Sequence, residues 1–143
     1  MNSKIYSAFL ISLFLFLSTT GHIASAHDET KSAVVIQVSD KDSGKWNLAL
    51  NNAKNVQKDL GADKVQIQIV VYGPGISMLK SDATIANRVS EAVKSGIKIV
   101  ACENTMKNLK LKHEDMNPDI SYVPAGVTEL MKKQMAGWAY IRP

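Results

Sequence analysis

Apolar positions along the chain alternate between two arrangements, short unbroken runs and stripes at helical spacing. Residues 33–38 form a continuous apolar run interrupted only by Gln37, the pattern of a parallel strand covered on both faces. A polar loop follows over 39–44. Trp46, Leu48, Leu50, Ala53, Val56 and Leu60 then recur at near-helical spacing, while Asn51, Asn52, Lys54, Lys58 and Asp59 mark the wet face. Gly61 supplies the helix stop. Residues 65–72 start by alternating and finish fully apolar, which predicts a second strand. Gly73-Pro74-Gly75 breaks the chain, and Ile76, Met78 and Leu79 follow as a small hydrophobic plug.

Ile85, Val89, Ala92 and Val93 make a second helical stripe, started near Asp82 or Thr84 and ended by Gly96. Ile97, Ile99 and Val100 predict a third, buried strand. Behind it, Asn104 or Thr105 caps a short helix carrying Met106, Leu109 and Leu111. A loop over 113–119 leads to a short strand over 120–123, stopped by Pro124. Gly126 opens a last helix through Val127, Leu130, Met131 and Met135, closed by Gly137, and residues 138–141 form the final strand. This alternation predicts an α/β fold: three layers, α/β/α, on a mostly parallel sheet of about five strands. Connections of these lengths permit several strand orders.

The amino terminus departs from that pattern. Lys4 gives a positive start, residues 5–17 are mostly apolar, and Ala24-Ser25-Ala26 fits a small-residue cleavage site. Residues 1–26 therefore read as a secretory signal peptide, leaving 27–143 as one exported domain, periplasmic or secreted. The apolar run is short against the roughly 20 residues of a spanning helix. No later run is long enough, so no membrane association is expected after cleavage. The formal charge of +4 includes Lys4 of the leader, and the rest of the excess comes from scattered lysines such as Lys107, Lys110, Lys112, Lys132 and Lys133. Aromatic residues do not interleave with them, which argues against nucleic-acid binding.

Several chemistries lack their residues. His22 lies in the leader, and His27, His113 and one cysteine do not have zinc-ligand spacing, so no metal is expected. Gly73-Pro74-Gly75 lacks the lysine and hydroxyl of a phosphate loop, and Pro74 removes a backbone donor. No nucleotide or other cofactor is expected. Ser77 does not sit in a G-x-S-x-G elbow.

What remains is Cys102, the only cysteine. It falls at the carboxyl end of a predicted strand, just before a helix. Ligands collect at that edge of an α/β sheet, and a helix start there favours a thiolate. Without a second cysteine it forms no intramolecular bridge. A buried inert thiol, an intermolecular disulfide and an exposed reactive thiol stay open. Glu103 opposes ionisation by its charge, and Lys107, one turn on, offsets it. His113 reads as a polar loop residue, with a Cys102–His113 dyad as the alternative.

The segment Ala101-Cys102-Glu103-Asn104-Thr105-Met106, together with the ending from Tyr122-Val123-Pro124-Ala125-Gly126 to Trp138-Ala139-Tyr140-Ile141-Arg142-Pro143, resembles the DsrE/DsrF-like family of small α/β proteins. The resemblance covers roughly the whole chain after the leader. Sulfur-trafficking members carry a persulfide on a cysteine in this strand-to-helix region, and Cys102 is the matching position. The resemblance also implies a homo-oligomer, a sulfur-donor or sulfur-acceptor partner, and a Gly73-Pro74-Gly75 loop on the cysteine's side of the sheet. Two readings follow. In the first, Cys102 relays a sulfane sulfur while Asn104 and Thr105 stabilise the anionic form. In the second, a non-catalytic module holds a small ligand or partner segment in a pocket of Tyr72, Gly73, Pro74, Gly75 and Cys102. An exposed thiol of lowered pKa marks the relay, and a buried inert one the module. The lack of a resolving cysteine argues against a thioredoxin-like oxidoreductase.

Overall fold

The structure is a computed structural model that describes residues 31–143. The expected leader, residues 1–26, and His27 lie outside the described residues. In order, the chain forms β1 (Ser32–Val38), α1 (Ser43–Leu60), β2 (Val65–Val71), a 3-10 turn (Gly73–Leu79), α2 (Ala86–Lys94), β3 (Lys98–Cys102) and α3 (Glu103–Asn108). A short 3-10 turn (His113–Asp115), β4 (Ser121–Val123), α4 (Gly126–Met135) and β5 (Ala139–Ile141) complete it.

The strands make one five-stranded sheet in the order β4-β3-β2-β1-β5, and every pair is parallel. Alternation along the strands separates two cores. Val34, Ile36, Ile67, Ile69, Val71, Ile99 and Ala101 face one way, where they meet Trp46, Ala49, Leu50 and Ala53 of α1, Val89 of α2 and Met106 of α3. The predicted plug, Ile76, Met78 and Leu79, is buried in this same cluster. Val35, Val70, Val100 and Val123 face the other way and meet Leu130 of α4, with Tyr72 and Trp138 packed at the margin. Fully burying an isoleucine such as Ile36 or Ile69 stabilises the fold by about 1.5–3 kcal/mol.

This division of helices follows from crossover handedness. The chain steps from β1 through β4 in one direction, with its first helices on one face. It then returns past β1 to place β5 at the far edge. A right-handed connection that reverses direction must also change face, and α4 is the helix that does so.

Local chemistry sets the ends of α1. The Asp42 carboxylate accepts from the N–H groups of Gly44 at 2.7 Å and Lys45 at 3.2 Å. At the other end Gly61 takes φ 92°, and its N–H donates to the Gln57 carbonyl. Three expected features differ. Leu48, Leu60 and Leu109 are exposed rather than part of the packed stripes. Helix α2 starts at Ala86, later than Asp82 or Thr84, because turns occupy the preceding residues: the Ala83 N–H donates to the Lys80 carbonyl and the Ala86 N–H to the Ala83 carbonyl, and no side chain caps the helix. Helix α3 begins at Glu103 with Cys102 itself as its N-cap residue, so neither Asn104 nor Thr105 caps it.

Candidate functional site

Cys102 ends β3 opposite Val123 of β4. Alternation from Val100 turns its side chain toward the α4 side of the sheet, and it is 5 % exposed. Two helices begin beside it. Neither α3 nor α4 has a side-chain cap, which leaves first-turn N–H groups for another acceptor.

The electrostatic balance at the sulfur has a clear sign. Burial opposes ionisation and is the largest single influence. The Thr105 hydroxyl and the N–H groups of Gly126, Thr105 and Asn104 together outweigh it and hold the thiol below its ordinary range. Cys102 is thus buried and acidified at once, a combination that neither expected alternative described.

Thr105 has a second connection. Its Oγ1 accepts the Gly73 N–H at 3.0 Å, which leaves its own O–H free to donate to the Cys102 sulfur. A hydroxyl that already accepts a hydrogen bond is the better donor. Gly73 aims that N–H from a left-handed conformation, φ 54°. Gly75 serves the backbone instead: a Cβ there would lie 2.9 Å from the Val38 carbonyl oxygen. Gly126 is equally constrained, since a Cβ would stand 3.0 Å from that of Tyr72. Glycine at 126 therefore brings the start of α4 close to the end of β2. The Asn104 side chain is exposed, and its backbone N–H, which also donates to the Pro124 carbonyl at 3.2 Å, carries its influence on the thiol.

The single pocket expected from Tyr72, Gly73, Pro74, Gly75 and Cys102 is divided. One groove of about 440 Å³ is lined by Lys41, Gly73, Pro74, Ser77, Thr105, Asn108 and Leu109. Another, also about 440 Å³, holds Tyr72 with Gln37, Tyr140 and the α4 residues Val127, Leu130, Met131, Gln134 and Met135. Cys102, Asn104 and Gly75 line neither. The division has a simple cause. Tyr72 points to the α4 side of the sheet, whereas the 3-10 turn after it packs into the opposite core.

Glu103 and His113 take no part in the cradle. The Glu103 carboxylate turns to His113 Nε2 at 3.6 Å, and the His113 ring stacks on Tyr122 with centroids 3.8 Å apart. Burial, and then the charge of Glu103, push the Tyr122 hydroxyl pKa up. Among the described residues, His113 makes no hydrogen bond to Cys102, so the dyad arrangement is not formed. Also among the described residues, no group of three or more histidine, cysteine, aspartate or glutamate side chains gathers as a metal site. No described helix is long and apolar enough to cross a membrane.

Gly126, read from sequence only as a helix opener, also bears on the thiol, its N–H favouring the thiolate. Lys41, Ser77 and Asn108 carried no signal beyond their loop or helix positions.

The all-parallel sheet and the cysteine at a strand-to-helix junction define a small α/β protein with a thiol at the carboxyl edge of its sheet. A DsrE/DsrF-like family model matches residues 31–143, and the chain belongs to this family, which is associated with sulfur relay. Among solved structures it is similar to MTH1491 of Methanobacterium thermoautotrophicum, a protein of unknown function. The two share 31 % identity and a TM-score of 0.75, over 79 % of this chain and 100 % of that one. BT1422 of Bacteroides thetaiotaomicron matches at 21 % identity and a TM-score of 0.65, over 78 % of this chain and 95 % of that one. The ychN protein of E. coli matches at 8 % identity and 0.62, over 79 % and 99 %. These last two share the fold. No curated protein matches the sequence.

Proposed function

We propose that the protein is an exported sulfur carrier that uses Cys102 alone, works as a homo-oligomer, and receives its sulfur from a donor and yields it to an acceptor. The observation that carries this reading is the place of Cys102, at the carboxyl end of β3 where α3 and α4 both begin without side-chain caps, with its thiol held below the ordinary range. In the loading step the Cys102 thiolate attacks the outer sulfur of a donor persulfide. The donor's S–S bond breaks, its inner sulfur leaves as a thiolate that takes up the transferred persulfide's proton, and Cys102 is left as the persulfide anion. A sulfane sulfur changes hands with no net oxidation, so one cysteine suffices. The same donors that favour a thiolate also favour a persulfide anion.

A second reading, a non-catalytic binding module, draws on the 5 % exposure of Cys102, because buried thiols are commonly inert. One experiment separates the two. The intact mass of the mature protein is measured before and after incubation with inorganic polysulfide, with Cys102→Ser as control. A gain of sulfur on the wild type only, reversed by reductant, is the expected result. No adduct, with a thiol that resists alkylation until unfolding, would leave the module reading. The starting mass also tests export: it should correspond to a chain beginning at His27.

A further inference from the structure

We propose that the groove between the β1–α1 loop, the 3-10 turn and α3 binds a small organic persulfide bearing a carboxylate, and that this is the sulfur donor class for Cys102. The proposal rests on the sulfur-carrier reading above.

Charge points to the ligand's sign. Among the described residues, Lys41 is the only charged side chain lining the groove. The carboxylates on either side of it in sequence are already engaged. Asp40 pairs with Lys45 at 3.1 Å and Arg142 at 3.4 Å, and Asp42 accepts the N–H groups that open α1. Among the described residues Lys41 has no carboxylate within ion-pair distance. The Ser77 hydroxyl and the Asn108 amide also lack hydrogen-bond partners among the described residues, although both line the groove. One uncompensated cation and two free donors suit a carboxylate.

Size and apolar surface point to an organic molecule. The volume of about 440 Å³ falls in the range of small-molecule sites, about 300–1,000 Å³. Pro74 and the 55 % exposed Leu109 supply apolar walls that an inorganic anion would not use.

Position points to the reaction. Thr105 lines the groove and stands in the first turn of α3, three residues after the N-cap Cys102. Cys102 itself does not line this groove, so loading requires Thr105 to release its hydrogen bond to Gly73 and open the groove toward the sulfur. The donor's carboxylate then lies on Lys41 and its outer sulfur reaches Cys102. As that sulfur transfers, the donor's S–S bond breaks. The donor departs as a thiolate that takes a proton from water, and Cys102 holds the persulfide.

The test compares two sulfur sources on the full mature protein, followed by intact mass: glutathione persulfide and inorganic polysulfide. Variants are Lys41→Glu and, as a control away from the groove, Lys64→Glu. Loading from glutathione persulfide should saturate, S-methylglutathione should compete with it, and Lys41→Glu should raise the half-saturating concentration roughly fivefold. Loading from polysulfide should change less than about twofold, and Lys64→Glu should behave as wild type. Polysulfide loading with no saturation or competition in the glutathione series, or an unaffected Lys41→Glu, would overturn the groove and leave the carrier reading intact. If neither source loads Cys102, the carrier reading fails, and calorimetric titration with S-methylglutathione decides the groove by itself. Binding lost in Lys41→Glu would support an anion site there, and no binding to wild type would overturn it.

Discussion

Replacing Thr105 with valine removes one hydroxyl and keeps the side chain's shape, so it isolates the side-chain hydroxyl that favours the Cys102 thiolate. A hydrogen bond to a charged group contributes about 1.5–3 kcal/mol net. Taking the low end, because sulfur is a soft acceptor, the loss corresponds to roughly a tenfold fall in the thiol's ionisation constant, at about 1.4 kcal/mol per factor of ten. The cost does not stop at the sulfur. Gly73 donates to the same oxygen at 3.0 Å, and leaving that N–H unpaired should destabilise the fold by about 1–2 kcal/mol. Thr105→Ser keeps both hydrogen bonds and should stay close to wild type in both respects. Thiolate ultraviolet absorbance against pH is the suitable assay, since it reads ionisation without requiring a reagent to reach a thiol that is 5 % exposed. Denaturant titration gives the stability change in parallel. If folded Thr105→Val titrates as wild type does, the hydroxyl is not a donor to the thiolate and the Gly73–Thr105–Cys102 chain of donation is wrong.

Three further outcomes are expected. The folded-state pKa of Cys102 is depressed, so the stability it contributes is present above the thiol's unfolded pKa and is lost as pH falls through the folded value. Under reductant, wild type should therefore gain on Cys102→Ala as pH rises across that window, and a gap that stays constant with pH would count against it. Gln68, fully buried, donates to Glu129 Oε1 at 2.8 Å, while its own oxygen lacks a partner. Glu129→Leu should then cost about 2–3 kcal/mol by stranding the whole amide, and the Gln68→Leu/Glu129→Leu double variant should recover to within about 1 kcal/mol of wild type. Equal losses in urea denaturation would refute this. Gly75→Ala forces a Cβ to 2.9 Å from the Val38 carbonyl oxygen, and backbone on both sides has little room to yield. It should destabilise by about 2 kcal/mol, with a thermal midpoint several degrees lower, and an unchanged midpoint would show that the turn can move.

What the sequence revealed about this fold was what burial controls. Runs such as 33–38 and the Trp46 to Val56 stripe must be covered, and their spacing announces how. Strand order was not legible, because a helix-length connection reaches either neighbour of a strand. Cys102 stands out by chain position, and the sequence links Thr105 both to its sulfur and to the start of α3, where Cys102 itself is the N-cap residue. In the structure its hydroxyl is taken up by Gly73, a contact 32 residues away in sequence that no local pattern encodes. Gly126 was harder still. Its role depends on α4 arriving from the face opposite α3, which local sequence does not state. Tyr72 and Gly73 are chain neighbours, yet the strand pleat and the turn send them to different grooves.

The reversal of strand order explains how one thiol is both covered and acidified. Had β5 continued beyond β4, right-handed crossover would have kept α4 on the same face as α1 and α2. The sulfur of Cys102, pointing the other way, would then have met only the start of α3. Because β5 instead returns beside β1, α4 must begin on the opposite face, at the carboxyl edge where β3 and β4 end. Gly126 lets that beginning close onto Tyr72. Its N–H then meets the sulfur from one side while α3 supplies N–H groups from the other. The helix start that buries Cys102 is thus also one of its donors. Burial alone would raise the thiol pKa, and here the groups that exclude water are the same ones that favour the anion. On the sulfur-carrier proposal the thiol needs controlled access rather than open exposure, and Thr105, which lines the Lys41 groove in the first turn of α3, is the residue proposed to provide it.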